Sequence, residues 1–276
     1  MARPLRIQFE GAFYHVMSRG NKRENIFFDR QDYRTFLDTL EQTCERFGWI
    51  VHAYCLMTNH YHILVETPQA NLSKGMHFLN GVFTQRINRK HERCGHLFQG
   101  RFTGILVDTH HYYKILLRYV LQNPVKANIF DHPRQYYWSS YNATIGRYEA
   151  PDWLAVHEVL AHFAQSLPLA LGKFEQYILD KEELDMQKLL TNQVFLGDKE
   201  FVRAHLNKRT VRSKSSGVSR RQSRPPAWPL AHYKERYSGK KKAVIEAYKS
   251  GSYSKLELAK FFEIPYTTLS RWLSKK

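Results

Sequence analysis

Residues 58–66 read Thr-Asn-His-Tyr-His-Ile-Leu-Val-Glu, and this stretch decides how the first half of the chain is interpreted. After its first two residues, which form a turn, β-branched and apolar side chains alternate, and this predicts a strand. Alternate strand residues point to one face, so His60 and His62 project together and are spaced to bind one divalent cation. Tyr61 between them faces a core. A pair of hydrogen-bonded structural histidines is the alternative, because a lone His-x-His motif often arises by chance.

Composition points to a nucleic-acid partner. The chain has 276 residues, with 42 Lys and Arg against 25 Asp and Glu, so its formal net charge is +17 and its pI is about 9.8. A charge of this size on a chain of this length indicates a polyanion as partner. The sequence has no long apolar run and no amphipathic basic segment at its start, so we expect no membrane partner.

The cysteines and the N-terminus indicate a reducing compartment. Residues 1–6 lack the apolar core of a signal peptide. Cys44, Cys55 and Cys94 are odd in number and have no Cys-x-x-Cys spacing, so neither a disulfide framework nor a zinc knuckle is expected. We therefore expect a cytoplasmic, nucleoid-associated protein.

The order of predicted elements indicates an α+β fold. The order strand–helix–strand–strand–helix–strand is typical of a ferredoxin-like antiparallel sheet with helices on one face. Such a sheet leaves its other face open on the side to which both histidines point. A third helix is predicted to end before Pro124. The predicted strands are residues 13–18, 49–57, 60–66 and 102–107, and the predicted helices are 32–47, 71–90 and 109–122.

Four parts are predicted along the chain: a catalytic domain over 1–150, a helical extension over 151–206, a basic flexible linker over 207–238, and a small all-α unit over 239–276. Absent acidic residues and abundant Ser and Pro predict the linker. The last unit looks like a DNA-binding helix-turn-helix, opened by a capping box from Ser254 to Glu257. A helical hairpin without a DNA role is the alternative. The residues expected to face DNA are Thr267, Thr268, Ser270 and Arg271.

The third helix offers a nucleophile. A metal on a basic protein would act on a phosphodiester, and the helix carries Tyr112, Tyr113 and Tyr119. Tyr119 and Asn123 are four residues apart on one helical face, so the Asn123 oxygen could be a third ligand that places the Tyr119 hydroxyl beside the metal. From spacing alone, Tyr119 fits equally the ordinary role of a buried core tyrosine.

Six segments of the chain, which include those of His60 and Tyr119, occur in the order typical of one family. Together they resemble the REP-associated tyrosine transposases, which belong to the single-tyrosine HUH transposase superfamily and have an IS200-like domain. The resemblance covers about residues 3 to 205, and some relatives carry an appended helix-turn-helix. Tyr61 stands where the superfamily has a bulky aliphatic residue. The matching segments are 4–6 with 14–21, 57–65, 96–102, 118–127, 138–141 and 196–201.

The resemblance implies a function and a set of roles. It implies that His60 and His62 bind Mg²⁺ or Mn²⁺, that Asn123 is the third ligand and that Tyr119 is the nucleophile. The expected activity is cleavage and rejoining of single-stranded DNA, at hairpin or repeat ends, through a 5′-phosphotyrosine. The bond energy is kept in that link, so no ATP is needed, and the chain has no Gly-x-x-x-x-Gly-Lys-Ser/Thr loop.

Basic residues are expected to hold single-stranded or hairpin DNA through phosphate contacts, and the C-terminal unit to bind duplex. The protein would be a monomer or a homodimer. Two alternatives remain: a DNA-binding regulator that does not cleave, and a zinc protein that uses Cys55, His60 and His62. The main expected DNA cluster is Arg86, Arg89, Lys90, Arg93 and Arg101, and weaker candidates for reading a base or hairpin are Arg19, Asn21 and Arg23.

Overall fold

The computed structural model describes residues 7–180, 186–207, 227–250 and 253–274. Its contacts divide the chain into two units. The larger unit is Gln8–Leu190 with Phe195–Gly197, and it contains the sheet. The smaller unit consists mainly of Asp198–Lys276 and is helical where it is described.

Strands and helices of the larger unit follow one another in the predicted order. The strands are β1 (Ala12–Arg19), β2 (Ile50–Met57), β3 (His60–Thr67), β4 (Thr103–Val107) and β5 (Phe195–Leu196). The helices are α1 (Arg30–Phe47), α2 (Leu72–Lys90), α3 (Thr109–Leu121), α4 (Asn123–Lys126), α5 (Tyr141–Thr144), α6 (Val156–Ala161), α7 (Leu167–Leu179) and α8 (Met186–Leu189), with 3₁₀ turns at Asn21–Arg23 and Pro133–Gln135.

The sheet confirms the predicted α+β class. Its strand order is β2-β3-β1-β4-β5, and every neighbouring pair is antiparallel except β4 and β5. The first four strands have the ferredoxin-like arrangement. The fifth strand was not predicted, because two residues are too few to show a periodicity. Pro124 does not simply end a helix: α3 stops at Leu121, and Pro124 lies in the first turn of α4, where its missing N–H has no helical partner to lose.

Helices α1 and α2 cover one face of the sheet, as expected. Phe36 of α1 and Phe83 of α2 meet edge to face with ring centroids 5.0 Å apart, and the Phe36 ring is 4.6 Å from the Tyr61 ring. Tyr61 is fully buried and donates a hydrogen bond to Oδ1 of Asn80 (2.6 Å). The aromatic ring of Tyr61 thus packs in the core, and Asn80 accepts the hydrogen bond of its hydroxyl.

The opposite face is not open, contrary to the expectation of helices on one face alone. Leu116 and Val120 of α3 share a buried core cluster with Cys55 and Leu64 of the sheet, and Phe174 of α7 belongs to the same cluster. The apolar stripe of α3 has to be buried against something, and this face of the sheet provides the surface. The histidines therefore point into a gap between β3 and α3 and not into open solvent.

The smaller unit is a set of short helices: α9 (Lys199–Asn207), α10 (Leu230–Arg236), α11 (Lys240–Lys249), α12 (Lys255–Phe262) and α13 (Tyr266–Ser274). The Ser254–Glu257 capping box is present as predicted. Most of the predicted linker, residues 208–226, lies outside the described residues. Its later part forms α10, because Tyr233 packs into the core of this unit with Val244 and Leu258. Among the described residues no helix is long and apolar enough to cross a lipid bilayer.

Candidate active site

His60 and His62 lie on the same face of β3, with ring centroids 5.0 Å apart. His60 is half-buried at the start of the strand, whereas His62 is 2% exposed. Nδ1 of His60 lies 2.6 Å from Oδ1 of Asn59. Because that oxygen only accepts, Nδ1 carries the proton and Nε2 of the neutral ring keeps its lone pair. Burial first, and then the charge of Arg19, lower the pKa of His60 to about 4.

A third histidine, which the sequence did not indicate, completes the cluster. His15 on β1 is 3% exposed, and its Nε2 lies 2.8 Å from Nδ1 of His62. The two rings are stacked at 5.0 Å with an angle of 17° between their planes. Burial lowers the pKa of His15 to about 4, so this ring is neutral at pH 7. Nδ1 of His15 is buried without a hydrogen-bond partner.

Tyr119 of α3 closes the cluster from the helix side. Its ring meets the His15 ring edge-on at 5.7 Å and the His62 ring edge-on at 5.6 Å. The Tyr119 side chain is half-buried. Tyr113, by contrast, is 2% exposed and its hydroxyl is bonded to Nδ1 of His52 (2.8 Å). The structure brings Tyr119, and not Tyr113, against the histidines.

Two positive charges lie near this group. The Lys126 ammonium is 5.4 Å from the centroid of the Tyr119 ring. Arg19 ends β1 directly opposite His60 in the β1–β3 register. Burial raises the pKa of Tyr119, and the charge of Arg19 acts in the other direction. The pKa of His62 is held well below its ordinary value by burial first, and then by His15, His60 and Arg19. A cation here stabilises a tyrosinate and disfavours charged imidazoles.

Asn123 is the first residue of α4, one turn beyond Tyr119. Its side-chain amide donates to the carbonyl of Tyr119 (2.8 Å) and more weakly to that of Val120 (3.4 Å). These bonds hold the end of α3 and leave Oδ1 for another partner. The predicted third ligand is thus anchored beside the tyrosine, through its nitrogen.

Three of the segments that carry the family resemblance, residues 14–21, 57–65 and 96–102, meet at the end of the sheet where His60 lies. The backbone N–H of Gln99 donates to the carbonyl of Arg19 (2.8 Å), and that of Gly20 donates to Asn59 (2.8 Å). A Cβ on Gly20 would lie 2.0 Å from the carbonyl oxygen of Glu24, so only glycine fits there. The loops that carry the basic residues are therefore fastened to the strand that carries the histidines.

The predicted DNA-contacting residues of this unit divide into two groups. Arg86 bonds Oγ1 of Thr39 (2.9 Å) and Oε1 of Gln42 (3.0 Å), which ties α2 to α1. Lys90 bridges Asp29 and Asp32 at 2.7 and 2.8 Å. Arg93 lies 3.7 Å from Glu24 and over the Phe28 ring. Asn21, Arg23, Arg89 and Arg101 are exposed, and no ion pair is formed by these three arginines within the described part of the chain.

Two other groups of potential metal ligands are less suitable. Cys55 stands opposite His62 in the β2–β3 register, but burial strongly raises the pKa of its thiol, which keeps it protonated. Zinc binds the thiolate. Asp29, Asp32 and His91 have ligand atoms within 4.8 Å of one another. There the Lys90 ammonium already occupies the position between the two carboxylates, which also form the capping box of α1.

Residues of the smaller unit predicted to face DNA lie on α13. Thr267 and Arg271 are exposed, and Thr268 is half-buried. Ser270 is half-buried and its Oγ lies 3.5 Å from Nζ of Lys255. Leu269 is fully buried, in the core of this unit. The short segment between α12 and α13 turns at Glu263, whose φ of 51° is left-handed.

Comparison with known proteins shows which families parts of this chain are similar to. Residues 8–123 match the family described as Transposase IS200 like, and residues 240–276 match the CENP-B N-terminal DNA-binding domain. The first match covers strands β1 to β4 and helix α3, which carries Tyr119, and it ends at Asn123.

Within that class the chain is similar to REP-associated tyrosine transposases. A Haemophilus influenzae protein assigned to that group is 25% identical over 130 residues, which cover 43% of this chain and 74% of that protein. A solved REP-associated tyrosine transposase bound to a REP hairpin covers 55% of this chain and 89% of its own, with 16% identity and a TM-score of 0.48. A Deinococcus radiodurans protein assigned as a transposase aligns over 41% of this chain and 92% of its own, with 19% identity and a TM-score of 0.32.

Proposed function

We propose that this protein is a metal-dependent single-strand DNA endonuclease and strand transferase that acts at hairpin or repeat ends. The observation that carries the proposal is the placement of Tyr119 against His15 and His62, with Arg19 beside them. The IS200-like match and the net charge of +17 support DNA as the substrate.

In the proposed reaction the Tyr119 oxygen attacks a backbone phosphorus of the DNA. Tyr119 loses its proton, and its oxygen forms a phosphotyrosine at the 5′ end of the downstream fragment. The bond between the phosphorus and the 3′ oxygen of the upstream fragment breaks, and that oxygen takes up a proton to become a 3′-hydroxyl. A 3′-hydroxyl can attack the phosphotyrosine in turn and restore a phosphodiester, returning the tyrosine. Arg19 has two tasks: it favours the ionised form of Tyr119, and it neutralises charge on the phosphate.

The histidine pair fits a divalent cation, Mg²⁺ or Mn²⁺. His60 and His62 are neutral, share one face, and have their Nδ1 atoms engaged by Asn59 and His15, so Nε2 of each can be a ligand. A hard cation also needs oxygen ligands, and Oδ1 of Asn123 is our candidate. Once bound, the cation would polarise the scissile phosphate. His15 would fix the ring orientation and tautomer of His62.

Exposed basic residues would hold the DNA. Arg23, Arg89 and Arg101 are our main candidates for phosphate contacts, because Arg86, Lys90 and Arg93 have partners within the protein. Arg19, placed by the sequence among residues that read a base, is reassigned to the reaction itself. The α12–α13 pair is proposed to bind duplex DNA as a helix-turn-helix, through Thr267, Thr268, Ser270 and Arg271, and such a protein would act at the nucleoid.

One assay separates this proposal from a regulator that binds without cleaving. The protein is incubated with single-stranded DNA hairpins and Mn²⁺, and the products are run on native and denaturing gels. We expect a species that survives denaturation and depends on the metal. A shift on the native gel alone, across hairpins that include those flanking the protein's own gene, would favour the regulator.

A further inference from the structure

A cavity of about 240 Å³ lies on the larger unit, and its lining differs in charge from the rest of the molecule. It is formed by α1, β2, the segment before α5 and the loop that follows α5. We call it the acid–aromatic pocket, and its defining residues are Asp38, Glu41, Tyr54, Ser139, Tyr148 and Trp153.

Negative charge surrounds this pocket. Asp38 and Glu41 lie one turn apart on α1, and Glu149 approaches from the loop after α5. All three carboxylates are exposed, and none of the described Lys and Arg residues lines the pocket. In a chain with 42 basic residues against 25 acidic ones, such a group attracts cations and repels the phosphates of DNA.

Aromatic rings form the walls. Tyr54 and Trp153 have ring centroids 5.7 Å apart, and Tyr137 and Tyr148 have centroids 5.2 Å apart. The face of an aromatic ring carries partial negative charge, so rings combined with carboxylates are suited to an organic cation. The pocket is smaller than the cavities that bind drug-sized molecules and is closer in size to one side chain.

A buried hydroxyl without a partner also belongs to the lining. Ser139 is 2% exposed, and its Oγ makes no hydrogen bond in the structure. The hydroxyl of the neighbouring Ser140, by contrast, accepts a hydrogen bond from the backbone N–H of Tyr54. Of these two adjacent serines, only Ser139 has a hydroxyl without a partner. An unsatisfied buried hydroxyl costs free energy, and an N–H group of a ligand would satisfy its lone pairs.

We propose that the acid–aromatic pocket binds an arginine side chain presented by a protein partner. A metal ion fits poorly, because these carboxylates do not form a three-ligand cluster of the kind seen at Asp29, Asp32 and His91 in the described residues. A guanidinium is planar and stacks on aromatic rings. Its several N–H donors can bond acceptors that lie apart from one another, as these carboxylates and the Ser139 hydroxyl do. A second copy of this chain would bring another net charge of +17, so a different protein is the occupant.

Binding of Nα-acetyl-arginine methylamide to the full chain tests the proposal. It is followed through the Trp153 indole N–H in ¹⁵N-tryptophan-labelled protein, with Trp153→Phe assigning that resonance. The uncharged citrulline amide has nearly the same shape and is the matched ligand. We expect saturable binding of the arginine amide, and binding of the citrulline amide weaker by about tenfold or more.

Three variants sharpen the test. D38N/E41Q/E149Q should lower arginine affinity about tenfold, whereas E10Q/E92Q/D131N, with the same charge change at exposed positions elsewhere, should bind like the wild type. Ser139→Ala should weaken binding without lowering the unfolding temperature, because it removes an unsatisfied group. An unchanged affinity with a lowered unfolding temperature would show that the hydroxyl serves the fold and would contradict the proposal.

Other results overturn the assignment of the occupant. Equal affinity for arginine and citrulline amides, no binding of the arginine amide, or saturation by spermidine alone would each contradict an arginine pocket. Sedimentation of the wild type and of D38N/E41Q/E149Q should agree at equal concentration. Self-association that the triple variant loses would make a second copy the occupant.

Discussion

Nε2 of His15 lies 2.8 Å from Nδ1 of His62, in a stacked and buried pair. Two neutral imidazoles can share this bond in either direction. Only the direction in which His62 donates leaves Nε2 of His62 free to bind a cation, and it requires His15 to carry its proton on Nδ1. Nδ1 of His15 is buried without a partner in either direction of the bond, so it does not oppose the direction that a bound cation would require.

Replacing His15 should weaken metal binding without removing a metal ligand. His15→Phe keeps the ring volume but deletes the acceptor for His62, and we expect Mn²⁺ affinity to fall by about 10- to 100-fold. His15→Gln, which keeps an acceptor, should lose less. Calorimetric titration with Mn²⁺ measures both.

His52→Phe is the matched control, because His52 is equally buried and lies at a distance from the histidine cluster along the sheet. It should cost stability and spare Mn²⁺ affinity. If His15→Phe binds Mn²⁺ as tightly as the wild type while His60→Ala does not bind it, the positioning role is wrong.

Arg19 should control the reactivity of Tyr119. Without its charge the pKa of Tyr119 rises further, so less tyrosinate is present at a given pH and the rise of cleavage rate with pH moves to higher pH. For Arg19→Ala we expect about a 10²-fold slower adduct formation, measured across a pH series at saturating Mn²⁺. Arg23→Ala, at an exposed position in the turn that follows β1, should change DNA affinity more than rate. A pH profile identical to the wild type for Arg19→Ala would contradict this role.

Two glycines of α2 should respond in opposite ways to the same substitution. A Cβ on Gly75 would lie 2.1 Å from Cζ2 of Trp49, whereas one on Gly81 would meet nothing within 4 Å. Gly75→Ala should therefore cost about 1–3 kcal/mol through overpacking. Gly81→Ala should stabilise by about 0.5–1 kcal/mol, because alanine favours a helix. Urea unfolding measures both, and equal effects would contradict the packing of α2 on Trp49.

The C-terminal unit should show its DNA role through salt dependence. Arg271→Gln on α13 should lower the slope of log affinity for duplex DNA against log salt concentration by about 1. Lys249→Gln makes the same charge change on α11, where the lysine pairs with Glu246. An equal fall in slope for both variants would mean that only net charge is being measured.

The local pattern was enough to predict much of this fold. Alternation predicted β3 and the core-facing Tyr61, and Ser254–Glu257 predicted the start of α12. Asn71 stands just before α2, where an asparagine commonly caps a helix, but its side chain bonds the Phe47 carbonyl and the Trp49 indole and does not cap α2. Such a long-range use of a capping residue has no signature in the neighbouring sequence.

The candidate active site could be predicted only in part from the sequence, because its main contacts join residues that are far apart along the chain. His60 and His62 are two residues apart, so their spacing alone suggests a pair. His15 is 47 residues from His62, and a single histidine in a strand has no spacing pattern that would indicate a partner. Likewise, charge alone could not separate Arg86 and Lys90, which hold α1 and α2 together, from Arg89 and Arg101, which stay exposed. Only the pairing of elements makes these distinctions.

The central claim, that Tyr119 is the nucleophile, is tested most directly with hairpin DNA labelled at one end. With Mn²⁺ the wild type and Tyr112→Phe should carry the 3′-labelled downstream fragment into a band that survives denaturation, while 5′-labelled DNA is released free. Tyr119→Phe should bind the DNA with unchanged affinity and give no such band. A denaturation-resistant band with Tyr119→Phe, or one that carries the 5′ label, would contradict the account.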